Sequence, residues 1–320
     1  MRRDIYPSSK PEDLSVSSEA IIKTIREIRE TQGLQLHSFL LLRHGRLLWE
    51  EYFRDGEANK LHVLQSVSKS FTSTAIGIAQ AHGLLSVKDK LYDFFPEHAD
   101  LCDSDYKREV TLEHLLMMGS GFENNEGEIL SGFGDFTALA LSQPVIHKPG
   151  TVFDYYTLGT YLLSAVFSKV YPCGIHSYLK DKLFAPAGFG DSIWNADIKG
   201  IPMGGFGLFL TAYDLSRLGQ LYLQKGCWEG QQLIPAKYVE MASAKQIDNS
   251  NHPSGNPDWT AGYGYQFWRN RMGGYRADGM FGQYCIVLPD KDVVIVMTSH
   301  LENMQLPLTI TGEILLPEIK

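Results

Sequence analysis

Apolar residues at Ile21, Ile22, Ile25 and Ile28 alternate with charged ones at the 3.6-residue period of an amphipathic helix. This spacing predicts a helix over 18–32, with serine available as its N-cap and Gly33 ending it. The next stretch, LHSFLLLRHGRLLWEEYF, holds two apolar runs broken at His44-Gly45-Arg46, which predicts a β-hairpin with glycine in the turn. Near the other end, GQYCIVLPDKDVVIVMTS predicts a second hairpin, turning at Pro289-Asp290-Lys291-Asp292. The middle, about residues 85–235, is richer in helix signals: TLEHLLMMGS, TYLLSAVFSKVY and TAYDLSRLGQLYLQKG each stop near Gly or Pro. Strands from both chain termini around a helical insertion predict an α+β fold. Its sheet is mostly antiparallel and flanked by helices, with a sheet subdomain over about 1–84 and 236–320 and a helical subdomain over about 85–235, all within one domain spanning 1–320. A cleft between the two regions is the natural place for a site.

One predicted helix lacks a polar face of the usual kind. In HVLQSVSKSFTSTAIGIAQAHGLL, from His62 to Leu85, the residues after Lys69 are Ser70, Thr72, Ser73, Thr74, Ala75, Gly77 and Ala79. Such a run suits close approach to neighbouring elements, so a lysine at its start is expected in or near the interior. An uncompensated buried ammonium costs several kcal/mol or gives up its proton. A partner for Lys69 is therefore required.

Composition narrows the possibilities. The chain has 320 residues, of which 44% are hydrophobic, enough for a sizeable core. A net charge of −8 with no lysine or arginine block argues against nucleic-acid and anionic-membrane partners. The N-terminal MRRDIYPSSKPEDLSVSSE has two arginines but no apolar stretch behind them, so it does not read as a secretory signal, and a cytoplasmic location is expected. Cys102, Cys173, Cys227 and Cys285 lie far apart with no CxxC pair, which predicts free thiols. The histidines show no metal-ligand spacing, and His62, His82, His98 and His114 read as surface or core residues. No metal and no cofactor are expected, and HExxH, Walker-type and GxSxG patterns are absent. GDSI at 190–193 is similar to an esterase block but sits mid-chain after a glycine-flanked turn that needs no chemistry.

The pattern SxxK occurs at Ser66/Lys69, Ser104/Lys107 and Ser177/Lys180. Ser104 lies in the charged run DSDYKRE, which reads as solvated, and Lys180 flanks the apolar stripe of a surface helix. Only Ser66 and Lys69 open a small-residue helix, one turn apart on one face. There the serine amide is a first-turn donor, and the helix dipole favours developing negative charge. A desolvated lysine can accept the serine proton while the serine's own N–H supplies half an oxyanion hole, as acyl transfer requires. A structural lysine that reaches out to solvent is the plain alternative. In HKPGTVFDYYTLGTYLL, Tyr155 and Tyr156 lie on the loop entering a helix, where either could relay a proton or simply pack.

Taken in order, SVSK, TLEHLLMMGSGF, KPGTVFDYYTLGTYLL and GMFGQYCIVLPDKDVVIVM resemble the serine β-lactamase-like superfamily, in its class C-like esterase and amidohydrolase branch. The resemblance runs from about residue 37 to the last strand. It implies Ser66 as nucleophile, Lys69 as its base or proton partner, and Tyr155, at the family's YxN tyrosine, as the group exchanging a proton with the leaving group. Thr157 stands where that motif has asparagine, and Ala277-Asp278-Gly279 replaces KTG or HxG, so the cation of the third motif is missing. Gly279 still fits, and the Met280 amide becomes the second oxyanion donor beside that of Ser66. Thr157, Asp278 and Gly279 are expected to contact substrate. The AxGxxGQ form at 277–283 resembles that of 6-aminohexanoate-oligomer hydrolases, which act on short linear amides and esters. A small ester or amide substrate, cleaved through an acyl-enzyme without metal, is the leading expectation. A ligand-binding relative with little turnover and a β-lactamase or penicillin-binding protein are the rivals, the last weakened unless Arg276 supplies the missing cation. Asp278 itself is expected either to face the cleft or to cap the turn before the last hairpin.

Overall fold

The computed structural model describes residues 6–53, 56–125, 127 and 134–320. Helix α1, Ser18–Glu30, starts as its sequence predicts: the Ser17 side chain accepts the Ala20 N–H at 3.1 Å. It ends earlier than predicted, before Gly33, and buries Ile21, Ile25 and Ile28 while Ile22 is largely exposed. The first hairpin pairs β1, Leu36–Arg43, with β2, Arg46–Tyr52. Its two-residue turn has positive φ at both His44 and Gly45, the handedness that matches strand twist.

Three short strands follow: β3 (His62–Val63), β4 (Ile193–Trp194) and β5 (Leu208–Leu210), which pair in the order β3-β5-β4. The chain closes with β6 (Trp268–Arg269), β7 (Tyr275–Gly279), β8 (Gln283–Leu288) and β9 (Val293–Ser299). The large sheet runs β2-β1-β9-β8-β7-β6, antiparallel throughout, so the first hairpin joins the last across the central β1–β9 pair.

Both faces of this sheet are covered, which explains why its strands are near-continuous apolar runs. Phe39, Leu41, Ile286, Ile295 and Met297 pack with α1 and the helical segment Gln305–Ile310. Leu40, Leu42, Val287, Val294 and Val296 pack on the other side with the helical part of the molecule. That side includes α2 (Ser68–Ala81), α3 (Thr157–Val170) and α4 (Ala212–Leu223). Helix α4 lies so close to the sheet that a Cβ on Gly219 would sit 2.5 Å from the Val294 side chain.

Helix α2 confirms what its small residues imply, for every residue from Ser68 to Ala79 is buried. A Cβ on Gly77 would stand 2.3 Å from the Tyr238 ring, so only glycine lets that ring lie against the helix. Ser66, however, is not in α2: it lies in a single 3₁₀ turn, Gln65–Val67, that leads into the helix. No described helix is long and apolar enough to cross a membrane.

Candidate active site

The lead-in turn is pinned from several directions. Leu64 N–H donates to Leu208 O at 2.8 Å, the Ser68 hydroxyl donates to Gln65 O at 2.6 Å, and the same hydroxyl accepts Leu208 N–H at 3.1 Å. Gln65 has φ 49°, a left-handed conformation uncommon for a residue with a side chain, held by these contacts immediately before Ser66.

Lys69, one helical turn further on, is 1% exposed. Its Nζ lies 3.0 Å from Ser66 Oγ, 3.3 Å from Thr157 Oγ1 and 2.9 Å from Gly205 O, with the Tyr155 ring centroid 4.9 Å away. Three oxygens and an aromatic face meet the requirement set by burying this amine. The carbonyl of Gly205 comes from a segment far along the chain. Its signal is the glycine-rich PMGGFG: a Cβ on Gly205 would be 2.6 Å from the Thr157 methyl and 3.4 Å from Lys69 Nζ, so only glycine brings this carbonyl in.

The two tyrosines separate cleanly. Tyr155 is half-buried at the cleft and stacks on Trp268 at 5.4 Å between ring centroids. Asn124 holds its loop, donating to Asp154 Oδ1 at 2.9 Å and to Tyr155 O at 3.2 Å. Tyr156 points the other way into the core, stacked on Phe122. Thr157 opens α3 directly behind Lys69.

The end of β7 closes the other side. A Cβ on Gly279 would be 2.5 Å from Leu64 O and 3.2 Å from Ser66 N, so glycine allows the strand to press against the serine's turn. Ser66, Tyr155, Trp259, Trp268, Asp278, Gly279 and Met280 line one cleft of about 480 Å³, with His252 and Glu302 at its wall. The aromatic wall and Glu302 were not singled out in the sequence, where Trp259, Trp268 and Glu302 carry no local motif.

Asp278 is a strand residue and not the cap of a turn. It lines the cleft, yet its carboxylate accepts from Arg276 Nε at 2.8 Å and from Trp259 Nε1 at 3.1 Å. Burial raises its pKa, against the opposing pull of Arg276 and then Trp259. Arg276 does not supply the missing cation: it is fully buried, donates to Asn270 Oδ1 at 2.9 Å and Asp258 O at 2.7 Å, and lies over Trp259. Residues 276 and 278 share one face of the strand, so the charge in this motif is paired within the protein.

The other candidates fall away for physical reasons, one of them unexpected. Lys107 is not solvated: it is 2% exposed, donates to Leu101 O at 2.8 Å and pairs with Asp103, while Ser104 caps the helix Asp105–Glu109. Ser177 and Lys180 are exposed on the helix Gly174–Leu179 and just beyond it. Ser192 of GDSI does meet a histidine, with His176 Nε2 at 2.9 Å. Burial, helped by Lys180, pulls that imidazole's pKa down to about 4, leaving it a weak base at neutral pH. All four cysteines are free, and no group of three His, Cys, Asp or Glu side chains able to hold a metal occurs among the described residues.

Comparison with known proteins places this geometry in a family context. The family model described as Beta-lactamase matches residues 21–309. A 6-aminohexanoate-dimer hydrolase from Paenarthrobacter ureafaciens is 26% identical over 291 residues, covering 82% of this chain and 72% of that protein. Among solved structures, EstCE1, described as a hydrolase with promiscuous acyltransferase activity, superposes with a TM-score of 0.73 at 17% identity, over 94% of this chain and 98% of that one. The octameric penicillin-binding protein homologue from Pyrococcus abyssi gives 0.69 at 19% identity, over 93% and 78%. At those identities the two structures speak to the fold alone.

Proposed function

The chain belongs to the Beta-lactamase family and is a serine hydrolase of that fold, and from this premise we propose that it cleaves a small ester or amide through an acyl-enzyme on Ser66. The observation that carries the reading is the buried Lys69 amine 3.0 Å from Ser66 Oγ at a cleft. Lys69 takes the Ser66 proton as Oγ attacks the substrate carbonyl carbon. The backbone amides of Ser66 and Met280 hold the oxyanion, and Tyr155 passes a proton to the departing alcohol or amine as the acyl bond breaks. Water then attacks the acyl-enzyme, giving up a proton along the same side chains, and the carboxylic acid leaves.

A fluorophosphonate probe tests this directly. It is expected to modify one serine, mapped by mass to Ser66, and to abolish esterase turnover in step with labelling. Modification elsewhere, with Ser66 free and turnover lost, would overturn the assignment. Thr157 in place of asparagine and the paired Asp278 favour a second reading, a binding protein with little turnover. Stoichiometric acylation by an activated ester without a following steady state would support it.

Substrate charge follows from the cleft wall. None of its described lining residues is lysine or arginine, and Glu302 lines it while Asp278 is offset by Arg276. Penicillins carry a carboxylate that this wall repels, so neutral or amino-bearing linear substrates are the better fit. For three esters differing only in an amino, neutral or carboxylate terminus, kcat/KM is expected to fall in that order by a few-fold per step, the size of partly exposed charge effects. Glu302→Gln narrows the spread. A carboxylate ester turned over fastest would refute this part of the reading.

A further inference from the structure

The Met280 amide belongs to a turn whose shape is not what its residues prefer. Gly279 and Gln283 pair across β7 and β8, and Gly282 N–H donates to Gly279 O at 3.2 Å, leaving Met280 and Phe281 at the tip. Phe281 has φ 65°. A positive φ at the third residue of a four-residue turn belongs to the type II class, which calls for glycine or asparagine there. A phenylalanine in that conformation stores strain, and rotating the 280–281 peptide would relieve it.

Two buried side chains oppose that rotation. Gln283, 1% exposed, donates from Nε2 to Met280 O at 3.2 Å and to Ser299 O at 2.7 Å, and its Oε1 accepts Ser299 N–H at 3.2 Å. The opposite amide orientation would set its oxygen against two carbonyls and its nitrogen against an N–H, so the contacts fix it. The Ser299 hydroxyl, at the end of β9, lies 2.6 Å from Phe281 O and 2.7 Å from Gly282 O and donates to this pair. A Cβ on Gly282 would stand 2.4 Å from that hydroxyl, so glycine makes room for the contact. The Phe281 ring stacks on His300, and His62 Nε2 approaches Ser299 O at 3.3 Å from the segment leading to Ser66.

We propose that Gln283, with Ser299, is a positioning residue for the oxyanion hole: its side-chain amide holds Met280 O and so fixes the backbone of Met280, whose N–H lies on the preceding peptide, while Ser299 ties the rest of the strained 279–282 turn to β9. The inference rests on the reading of Met280 as the second oxyanion donor. An amide of this kind acts on the charge that develops in the tetrahedral state, so its misplacement lowers kcat more than it raises KM.

Gln283→Met keeps the side-chain length and removes all three hydrogen bonds. With turnover counted per fluorophosphonate-titrated Ser66, kcat for a neutral ester is expected to fall by about ten- to a hundredfold, with KM within about threefold. Affinity for phenylboronic acid, whose tetrahedral serine adduct places an oxygen in the same hole, falls by a similar factor. Adding Phe281→Gly, which makes the positive φ inexpensive, is expected to restore several-fold of the lost kcat. A purely structural role predicts a lower melting temperature with titrated kcat and boronate affinity unchanged, and that result would overturn the proposal. If Gln283→Met does not fold, Ser299→Ala carries the same expectation at smaller size, and its unchanged titrated kcat counts against the clamp equally. Probe that labels wild-type Ser66 while Gln283→Met keeps full kcat defeats the clamp alone; probe that never reaches Ser66 defeats the site reading as well.

Discussion

Ser66→Ala leaves a folded protein whose hydrolysis of short p-nitrophenyl esters falls by about a thousandfold or more, the usual cost of deleting a covalent nucleophile. The fold survives because the 3₁₀ turn is held through Leu64, Gln65 and Ser68, none of which bonds through the Ser66 hydroxyl. Lys69 keeps Thr157 Oγ1 and Gly205 O after the serine oxygen is gone, so the buried amine is not stranded. The other two SxxK serines serve as controls. Ser104→Ala removes a helix cap whose hydroxyl accepts Lys107 N–H at 3.3 Å, lowering stability by about 1 kcal/mol with activity intact. Ser177→Ala, on an exposed surface, changes neither. Steady-state kinetics beside thermal melts decide the matter, and full esterase turnover in a folded Ser66→Ala protein would remove Ser66 from the mechanism.

Tyr155→Phe is expected to lower kcat by about a hundredfold, the scale of a positioned proton-transfer group. The phenyl ring still stacks on Trp268 and still faces Lys69 Nζ, so the packing and the contact of the amine with the ring face persist and melting temperature moves little. Tyr156→Phe makes the identical chemical change one residue away, but in the core beside Phe122, where no substrate reaches. Its effect falls on stability, with kcat within about twofold, as for substitutions remote from the chemistry. If Tyr156→Phe gave the larger kinetic loss, the proton-relay role of Tyr155 would be untenable. Either variant with an alternative leaving group sharpens the test: an ester whose leaving alcohol is acidic needs less protonation, so the Tyr155→Phe deficit shrinks along such a series.

Local pattern carried a large part of this molecule. Both hairpins, with turns at His44-Gly45 and Pro289–Asp292, and helices α1, α3 and α4 are written in periodicity and turn residues, because backbone geometry over a few residues sets both. The Ser66–Lys69 spacing was legible for the same reason: residues three apart across a helical turn meet whatever the rest of the chain does. The small residues of α2 announced burial, and their order along the chain with the later motifs carried the family. What lay beyond reach were contacts across long sequence separation, which leave no period. Gly205 O meets Lys69 from 136 residues away, and Ser299 meets Gln283 from 16 residues on through a different strand. Charge misled for a related reason. Lys107 reads as solvated and Asp278 as a cleft-facing charge or a turn cap, because a sequence shows a residue's formal charge but not whether carbonyls or a guanidinium stand beside it. Leu101 O and Arg276 decide those two cases, and only folding brings them within hydrogen-bond distance, where desolvation and pairing set the energy of the group.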